Sequence, residues 1–165
     1  MLMQSMRVLA LSLMSALVAI VVALFFVVPA DERGTVVPLL LALAVLAAVG
    51  QHGLVGLLGY RTPAIPPATP RAEAAERAVG AWRTGMVLRF VLIEAVPIAF
   101  VVIALVADEG GYFALVVATV AALVLAWLHV YPREATVRRV EEHLDREGGR
   151  SHLREALEDS GQTPA

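Results

Sequence analysis

Four long apolar stretches dominate this sequence, and each contains about twenty or more residues. An α-helix rises ~1.5 Å per residue, so twenty residues can cross the ~30 Å hydrocarbon core of a bilayer. The mean hydropathy of +0.75 is also typical of a membrane protein. Because lipid offers the backbone no hydrogen bonds, each stretch should be a helix. The sequence therefore predicts an all-α, polytopic membrane protein with four transmembrane helices and a cytoplasmic helical tail.

The predicted spans are joined by two short polar turns and one proline-rich loop. Residues 1–132 form the transmembrane domain, with spans at about 8–28, 36–60, 82–106 and 112–131. Good helix formers at 71–79 should continue through Gly80 into the third span. Residues 133–165 form the tail, whose apolar spacing predicts two amphipathic helices separated by Gly148-Gly149. We expect their apolar faces to dock on the membrane surface, a partner protein or another copy.

The arginines predict the orientation of the chain. All thirteen basic residues are arginine, and those flanking the spans lie on one side except Arg33. Positively charged residues concentrate on the cytoplasmic side of membrane proteins. We therefore expect a multi-pass protein of the cell (inner) membrane, with both termini and the proline-rich loop in the cytoplasm.

The third span carries two charged residues, Arg89 and Glu94. A charged side chain near the bilayer centre costs roughly 2.5–3.5 kcal/mol, so both should face protein, water or each other. Glu94 lies ~18 Å from either end of the span, at the middle of the bilayer. The two residues are ~140° apart around the helix, so each should need a partner on another helix.

Other polar side chains should lie at matching depths. Counting along antiparallel helices brings Gln51 and His52 to the level of Arg89, and Thr119 to the level of Glu94. These five residues are the predicted ion or proton site. For His52 a hydrogen-bonded buried imidazole and a titrating group both remain open, and for Arg89 so do a structural tether and a functional charge.

Pro97 follows Glu94 by three residues and lacks a backbone N–H. It should therefore kink the helix and free the carbonyl of Ile93, close to the carboxyl group. A free carbonyl beside a carboxyl can serve an ion or proton site, and it can equally belong to a structural kink.

Glycines recur at every third position late in the second span, at Gly50, Gly53, Gly56 and Gly59. This spacing drifts slowly around the helix and leaves a smooth strip without side chains. The strip predicts close packing against another helix.

These glycines, the Arg61-Thr-Pro63 element and the segment Leu92-Ile-Glu-Ala-Val-Pro-Ile98 resemble the hairpin of the proton-carrying c subunits of rotary ATPases. The resemblance covers about a third of the chain and implies that Glu94 carries a proton. The whole layout is similar to that of small uncharacterised four-helix bacterial membrane proteins, through Arg89, Glu94, Ala95, Pro97 and Pro132. This second resemblance implies a fold without an activity.

Several kinds of chemistry are not expected. The chain has no cysteine, and it contains no phosphate loop, zinc-binding helix pair or nucleophile elbow. His52 and His129 should lie at different depths, so we expect no shared metal or haem. The arginines of the tail are mixed with acidic residues, which argues against nucleic-acid binding. We expect no catalytic residue, no metal and no cofactor.

Two functions follow from these observations. The first is a non-enzymatic membrane subunit or scaffold, which assembles with itself or with a membrane-protein partner through its helices and tail. The second is proton or cation translocation, with Glu94 as the titrating carboxyl and Arg89, His52 and Gln51 controlling access.

Overall fold

The computed structural model describes residues 2–107 and 109–159, and this part of the chain is helical and contains no β-strand. The helices follow in the order α1 (Leu2–Val27), α2 (Pro38–Leu58), α3 (Arg71–Val106), α4 (Gly111–His129), α5 (Glu134–Leu144) and α6 (Leu153–Asp159). The all-α fold is therefore confirmed. The predicted break at Gly148-Gly149 lies between α5 and α6.

Helices α1 to α4 are long and apolar enough to cross a bilayer, so the chain is a multi-pass membrane protein. Helix α3 continues without interruption from Arg71 over 36 residues, as the helix formers before the third span predicted. Successive spans alternate in direction, so α2 and α4 end on the same side of the bundle. We call this side the tail end, because α5 and α6 follow there, and the opposite side the turn end.

Helix α4 is the centre of the bundle, since it packs against α1, α2 and α3. Residues four apart lie on one face of a helix, and on α4 such a row consists of alanines. All are buried: Ala114, Ala118, Ala122 and Ala126. Small residues let helices approach closely, which in lipid replaces the missing hydrophobic driving force between helices.

Two glycines allow the helices to pack closely at the turn end. Gly110 has a φ of +73°, a conformation that side chains disfavour, and a Cβ there would lie 2.5 Å from Cγ2 of Val37. A Cβ on Gly111 would lie 2.8 Å from Cα of Ala104. The start of α4 therefore contacts the end of α3 and the approach to α2 without an intervening side chain.

Helices α5 and α6 fold back onto the tail end. One hydrophobic cluster joins Trp82 of α3 with the buried apolar residues of the tail, Val137, Val140, Leu144, Leu153 and Leu157. The apolar faces are thus covered by the chain's own bundle, and docking of the tail on the membrane, a partner or another copy stays a prediction. The physical reason for this covering is proximity, because the end of the bundle offers an apolar surface only a few residues away.

The tail also fixes the proline-rich loop. The N–H of Ile65 donates to the carbonyl of Leu144 at 2.8 Å, and Nη1 of Arg146 donates to the carbonyl of Thr62 at 2.6 Å. The loop is therefore held against α5 by directed hydrogen bonds.

Candidate functional site

Gln51 of α2 reaches the backbone of α3 where proline interrupts the helical hydrogen bonds. Its Nε2 donates to the carbonyls of Leu92 at 2.9 Å and Ile93 at 2.7 Å. Pro97 has no N–H to offer the Ile93 carbonyl, so the amide of Gln51 replaces the missing donor. The carbonyl that the sequence predicted to be free thus joins α2 to α3.

Arg89 is fully buried, and two glycines make room for it. Its Nη1 donates to the carbonyl of Gly59 at 3.2 Å. A Cβ on Gly59 would lie 2.5 Å from Cγ of the arginine, and a Cβ on Gly85 would lie 3.4 Å from its Nη1. The arginine side chain therefore occupies a space that any larger residue at position 59 would fill.

Two aromatic rings lie close to the charged group of Arg89. Its guanidinium lies 4.7 Å from the ring centroid of Tyr60 and 5.4 Å from that of Trp82. Aromatic faces carry negative potential and attract cations, more strongly where water is excluded. Among the described residues Arg89 has no carboxylate partner, and its Nε and Nη2 have no hydrogen-bond partner. It does not pair with Glu94, as the angular separation predicted.

Three hydrogen-bonding side chains form a connected row between α2 and the end of α4, which we call the histidine row. The hydroxyl of Tyr60 lies 2.9 Å from Nδ1 of His129, and Nε2 of His129 lies 3.1 Å from Nδ1 of His52. A neutral imidazole has one N–H and one acceptor nitrogen. The hydrogen bonds of the row can therefore all run from Tyr60 toward His52, or all run in the opposite direction. Tyr60 and His129 are buried, whereas His52 is exposed.

The expectation that His52 and His129 lie apart was wrong. The depth estimate from residue counting assumed that all spans end at the same level and that each side chain lies at the depth of its own backbone. Helix α4 ends at His129, whereas α2 continues for six residues beyond His52 to Leu58, so the two helices end at different levels. The ring of His129 is consequently within reach of both His52 and Tyr60.

A pocket of about 250 Å³ lies beside the histidine row, between the tail end and α5. Its polar lining consists of His52, Tyr60, His129, Arg133, Thr136 and Arg139. The guanidinium of Arg139 lies 4.2 Å from the ring centroid of Tyr60, the same ring that contacts Arg89. The pocket therefore combines imidazole, phenol, hydroxyl and guanidinium groups, and no carboxylate from the described residues lines it.

Glu94 and Thr119 are not part of this arrangement. Glu94 is only partly buried, and among the described residues it has no hydrogen-bond or ion-pair partner. Thr119 is buried, and its hydroxyl also lacks a partner there. Arg89 and His52, which were expected to control Glu94, instead contact groups at the tail end.

The glycines of α2 divide into two groups. Gly59 packs inside the protein against Arg89, whereas Gly50, Gly53 and Gly56 have no atom within 4 Å of a Cβ position. Gly50 and Gly53 are exposed on the outside of the bundle. Close packing of this outer part of the strip stays a prediction, and it would need another chain.

Sequence reasoning missed Tyr60, Gly85 and Arg139 as site residues. Tyr60 and Arg139 lie at the edges of apolar segments, where aromatic and basic residues are ordinary, and Gly85 stands outside the three-residue repeat. The histidine row is not a metal site by composition, because no group of three or more metal-binding side chains meets among the described residues. What it offers chemically is hydrogen bonding and proton relay next to positive charge.

No family model, curated protein or solved structure matches this chain.

Proposed function

We propose that this chain is a non-enzymatic integral membrane subunit that assembles with a second copy of itself in the bilayer. The supporting observation is Glu94, a carboxyl in the middle of α3 that is partly exposed and has no partner among the described residues. An uncompensated charge near the bilayer centre costs roughly 2.5–3.5 kcal/mol. A surface that covers this carboxyl would remove that cost.

A second copy is the partner that the depth of Glu94 favours. A two-fold axis along the membrane normal places identical residues of two copies at identical depths. Two carboxyls that meet in this way share a proton, because two neighbouring negative charges are mutually unfavourable. Any other partner would need its own polar group at the same level.

The outer glycines support assembly through the membrane-embedded surface. Gly50 and Gly53 are exposed and have open space where a side chain would be. Small residues on a membrane helix allow another helix to approach closely. The tail is less suited to the contact, since its apolar residues are already buried.

The proposed location is the cell (inner) membrane, with both termini cytoplasmic. Support comes from the arginines, which flank the spans mainly at the tail end. Trp127 and Tyr131 stack there with ring centroids 4.4 Å apart, as is common for aromatic residues at a membrane interface.

Proton or cation translocation is the second proposal, and the same partly exposed carboxyl favours it. Its weakness is the surroundings of Glu94, because Gln51 already occupies the carbonyl beside Pro97. Translocation would therefore depend on Glu94 alone or on groups from a neighbouring copy.

Two substitutions of Glu94 separate these proposals. Glu94→Gln keeps a hydrogen-bonding side chain, so assembly should persist while proton flux is lost. Glu94→Leu removes the polar contact, which contributes about 1–2 kcal/mol between membrane helices, and should weaken the dimer roughly tenfold. Native mass spectrometry in nanodiscs gives the oligomeric state, and a pH-sensitive dye inside liposomes gives the flux.

A glycine variant tests the surface itself. Gly53→Leu adds a side chain where the monomer has open space, so it should reduce the dimer and lower the unfolding temperature only as far as dimerisation stabilises the protein. The matched control is Gly80→Leu, which adds the same group to another exposed helical glycine outside the strip. A protein that is monomeric in the wild type, or dimeric in both Glu94→Leu and Gly53→Leu, would contradict assembly through this surface.

A further inference from the structure

The pocket beside the histidine row is cationic. Arg133 and Arg139 line it, and none of the aspartates and glutamates that the structure describes does. Neither arginine has an ion-pair partner among residues 2–107 and 109–159. Glu134, which lies between them in the sequence, faces Arg154 at 3.8 Å. Uncompensated positive charge at one place predicts an anionic ligand.

The arginine donors are only partly used. Nη2 of Arg133 donates to the carbonyl of Leu128 at 3.1 Å, but its Nε is shielded from solvent without a hydrogen-bond partner in the described chain. Arg139 shares the ring of Tyr60 with Arg89, at 4.2 Å and 4.7 Å from the centroid. Two guanidinium groups on one ring repel each other, and an anion beside them would offset that repulsion.

The remaining polar groups suit an oxyanion. The guanidinium fork of arginine matches the geometry of phosphate oxygens. Thr136 already donates its hydroxyl to the carbonyl of Leu128 at 3.4 Å. His52, in contrast, has an Nε2 without a partner among the described residues. The volume of about 250 Å³ equals the share of about eight waters, which leaves room for a phosphate group and part of its ester.

The depth of the pocket indicates where the anion comes from. His129 lies between Trp127 and Tyr131 in the sequence. The rings of Trp127 and Tyr131 stack with their centroids 4.4 Å apart. Such aromatic residues settle at the level of the lipid headgroups. Basic pockets between membrane helices at this level are suited to anionic headgroups.

We infer that this pocket binds a phosphate group, with Arg139 and Arg133 supplying charge and His52 supplying a hydrogen bond. The phosphate belongs either to the headgroup of an anionic phospholipid or to a soluble phosphate. This site is independent of Glu94 and of assembly.

The test uses the purified full chain, stripped of lipid in a neutral detergent. One arm titrates short-chain phosphatidylglycerol and the other inorganic phosphate, and native mass spectrometry or calorimetry measures binding. Arg139→Gln should weaken binding about tenfold or more, because a charged hydrogen-bonding partner is lost. The matched control is Arg138→Gln, which removes the same charge from the neighbouring exposed residue that faces Glu142.

Binding that depends on Arg139 and changes less than about threefold in Arg138→Gln is the expected result. If phosphate competes with the lipid, the site takes soluble phosphate as well; if only the lipid binds, the headgroup is the ligand. His52→Gln is a second exposed variant and should also weaken binding. Equal losses in the two arginine variants, or no saturable binding of either probe at millimolar concentration, would overturn the inference.

Discussion

Replacing Gly59 with alanine should destabilise the protein, because the new methyl group would lie 2.5 Å from Cγ of Arg89. Cγ is close to the backbone of α3, so it moves only when the whole arginine shifts. The shift would break the 3.2 Å hydrogen bond to the carbonyl of residue 59. Such a bond from a charged donor contributes about 1.5–3 kcal/mol, and overpacking costs about 1–3 kcal/mol. We expect the free energy of unfolding to fall by roughly 3 kcal/mol or more.

Reversible unfolding in mixed micelles measures this change. Gly56→Ala is the control one turn earlier, where nothing lies within 4 Å, and it should change stability by less than about 1 kcal/mol. In an Arg89→Ala background Cγ is gone, so Gly59→Ala should cost less there than in the wild type. Only the contact with the carbonyl oxygen of Val55, 2.7 Å from the new methyl, is common to both. If Gly59→Ala costs the same in both backgrounds, the two residues are not coupled and the steric reasoning is refuted.

Two further predictions concern hydrogen bonds elsewhere in the chain. Gln51→Leu leaves the carbonyl of Ile93 without a donor and should lower the free energy of unfolding by about 1–3 kcal/mol. In a Pro97→Ala protein the restored N–H should reduce that loss. Equal losses in the two backgrounds, measured by the same unfolding assay, would contradict the role of the amide. At the tail, the hydrogen bond from His152 lowers the pKa of Glu155 below its ordinary 4.5. The contribution of this carboxylate to the stability of α6 should therefore be complete above pH 4.5 and lost as the pH falls through the lowered pKa. Amide exchange in α6 measures this loss. If exchange in Glu155→Gln responds to acid in the same way as in the wild type, the carboxylate does not have this role.

The parts of the fold that the sequence predicted depend only on the order of residues along the chain. Length and hydropathy give the spans, and helix formers after the proline-rich loop predict that α3 begins at Arg71. The missing N–H of Pro97 predicts a free carbonyl at Ile93 in any helix, so this feature also follows without tertiary information.

The rest depends on which faces of the helices meet. Depth counting put Gln51, His52 and Arg89 at one level but could not distinguish their neighbours, since rotation about a helix axis leaves depth unchanged. His129 was therefore assigned to no partner. The buried alanines of α4 look like any other apolar residues in a hydropathy profile, although they make α4 the central helix. For the same reason the amphipathic pattern of the tail shows an apolar face without showing what covers it.

Consecutive residues on α2 determine how the pocket is built. Gln51 and His52 are ~100° apart around the helix, so the amide contacts α3 while the imidazole contacts α4. Helix α2 has few buried residues, and apolar packing in lipid distinguishes poorly between rotational positions of a helix. A rotation of α2 would leave the donors of Gln51 unpaired and separate His52 from His129 at once. The polar pair, rather than apolar packing, therefore fixes the rotation of α2 and with it the wall of the cationic pocket.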